Sequence, residues 1–268
     1  MKKSLTILLF LLIVIIYCYA ENNWIQIENV KVEINNLPKE LNGMKIAHIS
    51  DVHLPKNASS IDSLVDKVKQ QKPDLIVMTG DIIDQSADLK TCGLGTLCNG
   101  LSKIAKTYAV TGNHESWNGN VEEWADILSK NNVEVIDNKL EIYTKNGENI
   151  AIQGLKDGDK YTPEKIEGVP LILLAHRPEL IGSYSSMENS VNPNIVFSGH
   201  AHGGQFRIPF INQGLIAPNQ GLFPKYTSGL YISNNVKMIV SRGLGNSIIP
   251  IRINDRPHLP IIELVGAN

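Results

Sequence analysis

Five times in this chain a short apolar run of strand length breaks off at residues able to bind a metal. KIAHIS runs into Asp51-Val52-His53, DLIVMT into Gly80-Asp81, and TYAV into Thr111-Gly112-Asn113-His114-Glu115. PLILLA runs into His176, and NIVFS into Gly199-His200-Ala201-His202. Consecutive aliphatic positions suit strands covered on both faces. Helical patterns separate the first three runs: Ile61, Leu64, Val65 and Val68 ahead of a Lys72-Pro73 stop, and then residues 121–128. Strand, helix, strand predicts a parallel sheet, and ligands bind such sheets beyond the carboxyl ends of the strands, where all five polar groups fall. After Leu140 the texture changes to shorter strand candidates at 140–144, 149–154, 229–233 and 236–240, with turns at Asn146-Gly147 and Asn234-Asn235. That predicts a second, more antiparallel sheet, and two sheets face to face with helices outside make a layered α/β sandwich.

Side chains two apart at a strand end point the same way, which pairs Asp51 with His53 and His200 with His202. Asp81, Asn113 and His176 bring the set to seven oxygen and nitrogen donors without a thiolate. One metal rarely needs so many, whereas two metals sharing one carboxylate would each receive four. The donor types favour Mn, Fe, Zn or Co over Cu(I) or an iron–sulfur cluster. Glycines at 80, 112 and 199 would let the backbone turn sharply into the site.

In that order, Asp51-x-His53, Gly80-Asp81-x-x-Asp84, Gly112-Asn113-His114-Glu115, His176 and Gly199-His200-x-His202 resemble the signature of the calcineurin-like metallophosphoesterases. His176-Arg177-Pro178, the run 199–205 and the Ser-Arg-Gly-Leu-Gly of 241–245 are similar to the membrane-associated bacterial branch typified by the YkuE and YaeI phosphodiesterases. The likeness extends from about Trp24 to Leu264. It implies a four-layer αββα sandwich of two mixed sheets holding two divalent metals, Mn, Zn or Fe, at the strand ends. Asp51, His53, Asp81 and His202 would bind one metal, and Asp81, Asn113, His176 and His200 the other. A metal-bridging water or hydroxide would attack phosphorus, with His114 stabilising charge or protonating the leaving oxygen. No metal-binding position is missing, which argues against the rival reading of a non-catalytic, metal-stabilised binding module.

Neighbouring residues have plainer roles. Asp84 and Glu115 are expected to orient the donors or cap helices, and Arg242 to stiffen a loop. Arg177 and Arg207 are expected to be solvated more readily than bound to phosphate, and His48 and His258 to be structural. Cys92 and Cys98 could close a small loop in an oxidising compartment or simply be buried. With Lys+Arg 25 against Asp+Glu 27, no broad basic surface exists for nucleic acid. Residues 1–20, Lys2 and Lys3 before an apolar stretch from 5 to 20, read as a signal peptide or membrane anchor. Residues 21–268 read as a single catalytic domain on the extracytoplasmic side. The expected protein is a monomeric phosphoesterase acting on a phosphodiester or phosphomonoester. Its substrate would be membrane-associated, such as a phospholipid or lipid-linked diphosphate, with Ile208, Phe210, Leu222 and Phe223 rimming the site. A pyrophosphatase cleaving UDP-2,3-diacylglucosamine is the enzymatic alternative.

Overall fold

In the computed structural model, which describes residues 2–56, 60–164, 166–186, 192–211, 213–246 and 251–267, every one of the five apolar runs is a strand. The chain order is α1 (Lys2–Asn23), β1 (Gln26–Ile34), β2 (Lys45–Ile49), α2 (Ile61–Gln71), β3 (Leu75–Thr79), α3 (Leu94–Ser102), β4 (Lys106–Val110), α4 (Asn113–Asn118), α5 (Val121–Lys130) and β5 (Val133–Val135). There follow β6 (Leu140–Lys145), β7 (Glu148–Gly154), β8 (Leu171–Leu174), α6 (Ile181–Tyr184) and β9 (Ile195–Ser198). Four two-residue strands come next, β10 (Arg207–Ile208), β11 (Gln213–Gly214), β12 (Ile216–Ala217) and β13 (Gly221–Leu222). The last three are β14 (Gly229–Ser233), β15 (Val236–Val240) and β16 (His258–Gly266). The helix predicted after Ser60 is capped by that serine's hydroxyl, which accepts from the Ser63 amide, and it stops at Lys72 in the left-handed region just before Pro73.

One sheet has the order β1-β16-β2-β3-β4-β5 and the other β14-β15-β9-β8-β7-β6. The period of two decides which side chains meet, although the strands are buried throughout. Ile46, Leu75, Val77, Tyr108 and Val110 of the first sheet pack against Ile150, Ile172, Leu174, Ile195 and Phe197 of the second. Their alternates Ala47, Ile76, Met78 and Ala109 face outward onto Leu64, Leu97, Trp124 and Leu128 of the helices. Beyond the second sheet, Leu173, Val196 and Met238 meet Ile181 and Tyr184. The result is the expected αββα arrangement of two mixed sheets.

The second sheet is less antiparallel than its short strands suggest. Only its edges, β6 with β7 and β14 with β15, are antiparallel; β7, β8, β9 and β15 run parallel. The edge hairpins are what the turn residues report, since Asn146-Gly147 and Asn234-Asn235 all take positive φ as two-residue hairpin turns require. Among the described residues, the inner crossovers carry no long helix whose periodicity could announce parallel pairing. Cys92 and Cys98 are free and buried in the helix-side core, which selects the second of their two readings.

Helix α1 is not a core helix. Within α1, Leu5–Asn23 forms 19 residues of mean hydropathy 2.1, long and apolar enough to cross a membrane at about 28 Å. Its apolar side chains are exposed, while its last turn is part of the fold: Glu21 and Asn22 are buried, and the Glu21 carboxylate accepts from the Asp255 amide and from Arg256.

His48 lies between the sheets, edge-on to Phe197, with Nε2 2.7 Å from the Thr79 hydroxyl. Burial pushes its imidazole down to about 3, from an ordinary value of 6.5. The native state therefore keeps it neutral, while the unfolded chain takes up a proton below 6.5, so its contribution to stability is lost as pH falls from 6.5 toward 3. Urea unfolding of the chelated protein should show His48→Gln flattening the pH dependence between 6.5 and 4. The difference in slope should approach about 1.4 kcal/mol per pH unit, and parallel slopes for the two proteins would refute the assignment.

Candidate metal centre

The strand ends deliver their polar residues into one buried site, but by a different device from strand alternation. β2 stops at Ile49, and Asp51 and His53 lie beyond it with φ of 50° and 53°. Asp81, His200 and His202 likewise have φ of 52°, 66° and 45°. Five of the seven donors thus sit in the left-handed region, where side chains with a Cβ carry a cost of about 1–2 kcal/mol each. The glycines beside them serve mainly through small size: a Cβ on Gly112 would lie 2.4 Å from Asp81 Oδ1, and one on Gly199 would lie 2.2 Å from Asp51 Oδ2. Only Gly80 of the three has positive φ. Asn113 is the first residue of the short helix α4.

The donor atoms converge as two groups. Asp51, His53, Asp81 and His202 offer one atom each, as do Asp81, His176 and His200, and within each group these atoms lie within 4.8 Å of one another. Asn113 Oδ1 joins the second group, 3.1 Å from His176 Nε2. A cation about 2.1 Å from its ligands holds neighbouring donors about 3.0 Å apart in octahedral and about 3.4 Å in tetrahedral geometry. The separations here are 3.1 Å for His53 Nε2 to His202 Nε2, 3.4 Å for His202 Nε2 to Asp51 Oδ1, 3.1 Å for His176 Nε2 to His200 Nδ1 and 3.3 Å for His176 Nε2 to Asp81 Oδ2. Imidazole nitrogens turned on one another at such distances are the arrangement a shared cation organises, so the donor set fits two cations with Asp81 common to both. A further trio of His53, Asp84 and His114 is less suited. His114 Nδ1 already accepts the Gln85 amide at 3.1 Å.

Burial dominates the electrostatics. It pushes Asp51 up to about 7, and His53 and His200 down to about 4 and about 2, leaving neutral imidazoles with lone pairs free for metal. Burial would also raise Asp81, yet the neighbouring His176 holds it well below the carboxylate range; that pairing drives His176 up to about 10 against its own desolvation. His176 is oriented from behind by Nδ1, 2.7 Å from the Thr79 carbonyl oxygen.

Glu115 orients the site. Its carboxylate accepts four amides: Asp81 at 2.8 Å, Ile82 at 2.8 Å, Ile83 at 3.2 Å and Gly112 at 2.8 Å. It thereby ties the loop after β3 to the loop after β4. Asp84 instead accepts from Ser86 and pairs with Lys56. His114 is beside the donors: its ring stands edge-on to His53 with centroids 4.4 Å apart, and Nε2 lies 4.0 Å from Asp81 Oδ2. With Nδ1 taking an amide hydrogen, the neutral ring carries its proton on Nε2, facing the site.

Arg207 and Arg177 depart from expectation, while Arg242 fits the loop-stiffening role expected of it. Arg207 is buried, donating to the Gly203 carbonyl and the Thr227 hydroxyl, because the loops after β9 fold over it. Arg177 is gripped by Asp157 through two hydrogen bonds of 2.7 and 2.9 Å. Arg242 is buried against Asp255 and Gln26 in the loop between β15 and β16. His258 is buried as a structural residue, its Nε2 2.8 Å from the Glu28 carboxylate. Two further residues border the donors without any sequence signal: the Asn219 amide lies 3.1 Å from His200 Nε2 and donates to Glu179.

The profile of the calcineurin-like phosphoesterase family matches residues 44–204, which contain all seven donors and His114. Among relatives, the Bos taurus "Transmembrane protein with metallophosphoesterase domain" is 28% identical over 264 residues, covering 90% of this chain and 57% of that one. "Uncharacterized metallophosphoesterase YkuE" of Bacillus subtilis is 27% identical, covering 93% of this chain and 89% of its own. "Phosphodiesterase YaeI" of Escherichia coli is 26% identical, covering 92% and 91%. The chain thus spans little more than half of the vertebrate relative and most of the bacterial ones.

Replacing Glu115 by Gln puts an amide nitrogen against two of the four backbone donors. The expected loss is about 2–4 kcal/mol of stability in the metal-free protein, read by urea unfolding. A loss below about 0.5 kcal/mol would show that Glu115 is not the tie between the loops.

Proposed function

Because the chain belongs to the calcineurin-like phosphoesterase family, we propose that it is a hydrolase of phosphate esters working with two divalent metals. The observation that carries this reading is the sharing of Asp81 between two complete donor groups. Asp51, His53, Asp81 and His202 would hold one ion, and Asp81, Asn113, His176 and His200 the other. When bound, such ions supply Lewis acidity toward a phosphoryl oxygen and lower the pKa of a nucleophilic water. The chain's own contribution is placement. Glu115 holds Asp81 and the start of α4 in register, Thr79 fixes the His176 ring, and His114 presents a protonated Nε2 with which to donate to a phosphoryl or leaving oxygen.

The substrate proposed is a phosphodiester or diphosphate carried by a membrane lipid, reached from the extracytoplasmic side. Two features support it: α1 is apolar enough to span a bilayer, and Ile208, Phe210, Leu222 and Phe223 are exposed rather than core. The name of the bovine relative is in keeping with membrane association.

Purified, reconstituted protein should contain two ions per chain by elemental analysis and hydrolyse bis-p-nitrophenyl phosphate. Asp81→Asn should lose metal and turnover together; a stoichiometry that never exceeds one ion would sink the dinuclear reading. His114→Ala should keep both ions while kcat falls about 10²- to 10⁴-fold. The loss should be smaller for aryl than for alkyl leaving groups, and metal loss in this variant would make His114 a ligand instead of a donor.

A further inference from the structure

The geometry points to a second membrane contact besides α1: the paired hairpins β10–β11 and β12–β13 form an apolar platform that lies in the bilayer interface beside the helix. Residues 208–224 contain no charged side chain, in a chain that is 19% charged. They expose Ile208, Phe210, Ile211, Ile216, Leu222 and Phe223, with Phe210 fully exposed and Leu222 and Phe223 more than 60% exposed. Phe210 and Phe223 also hold φ of 70° and 54°. A bulky side chain in the left-handed region costs free energy, and here that conformation leaves an aromatic ring in solvent. Uncharged loops with outward aromatics suit a lipid interface better than water.

The platform is fixed to the helix. The Tyr17 hydroxyl donates to Asn254 Oδ1 at 2.7 Å, and Asn254 Nδ2 donates to the carbonyl of Arg207, the first residue of β10, at 3.2 Å. Glu21, four residues on in α1, accepts from the adjacent Asp255 and Arg256. Tyr17, Tyr19 and Trp24 are exposed around this junction, the aromatic girdle expected where a helix leaves hydrocarbon. Lys225 follows the platform immediately and Arg256 lies over the Trp24 ring, placing cations at headgroup level.

The platform is fixed equally to the metal centre. The Leu215 amide donates to the Gly204 carbonyl at 3.1 Å, and Gly204 packs so close to Gly214 that a Cβ would lie 2.4 Å from its Cα. At the turn of β12–β13, Asn219 touches His200. Docking of the hairpins would therefore set the mouth of the centre at the headgroup layer.

The test uses full-length protein in nanodiscs of phosphatidylcholine and phosphatidylglycerol, carrying Trp24→Phe and Trp117→Phe so that buried Trp124 is the constant background. A reporter tryptophan is placed by Phe223→Trp or, separately, Phe210→Trp; the control is Ile142→Trp on β6, at the far edge of its sheet. Lipids brominated near the headgroup should dim either platform reporter at least about twofold relative to the control, which should be unchanged. Equal quenching of platform and control would overturn the proposal. A reporter shift that instead follows protein concentration in detergent would assign the face to a second copy of the chain and overturn it equally. Because the measurement is made on metal-free protein without turnover, its outcome is separate from that of the phosphoesterase reading.

Discussion

Three carboxylates, Asp51, Asp81 and Glu115, are sealed from solvent at one end of this sandwich. Each buried anion carries a desolvation penalty of several kcal/mol that only close partners can offset. The architecture around them is a set of such partners. Glu115 takes four backbone amides, Asp51 takes the Ser50 hydroxyl and the His200 amide, and Asp81 takes the His114 amide beside His176. Only Glu115 is satisfied by the backbone alone. Asp51 and Asp81 instead face the imidazoles of His202 and His176, within a donor set whose spacing suits divalent cations.

The same constraint accounts for the backbone. For amides to point at buried carboxylates while the side chains of Asp51, His53, Asp81, His200 and His202 point at a common centre, the chain must reverse within one residue. That is what positive φ accomplishes. The glycines then provide room for the chains to cross, and Gly112 and Gly199 abut the very carboxylates being served. Strain and close approach are divided between donor residues and their glycine neighbours.

Much of this was legible in the sequence, and the exceptions have physical reasons. Consecutive aliphatic runs marked the inner strands because both of their faces are buried, and helical spacing at Ile61, Leu64, Val65 and Val68 marked α2. The seven candidate donors stand out in the sequence because each lies within four residues of a strand end. What stayed hidden is carried by backbone or by distant loops. The Thr79 carbonyl that orients His176 has no side-chain signature, and Asn219 reaches His200 from a hairpin whose two strands have two residues each. The parallel core of the second sheet was masked for a related reason: among the described residues, the longest helix in its crossovers has four residues, too short to show a period. Apolar residues at 208, 210, 222 and 223 could equally have been core by composition, and only the tertiary structure puts them outside.

Strand β16 has a temporal consequence. It lies between β1 and β2 in the first sheet, pairing parallel with one and antiparallel with the other. The sheet that presents Asp51 and Asp81 therefore closes only after residues 258–266 have been synthesised, more than two hundred residues after its first strand. A nascent chain emerging from the ribosome has its apolar helix α1 synthesised long before its central sheet can be completed. Contacts of such high sequence separation slow folding and leave strand edges open meanwhile. The order of events is thus imposed by topology: α1 is complete first, and the sheet that frames the centre closes last.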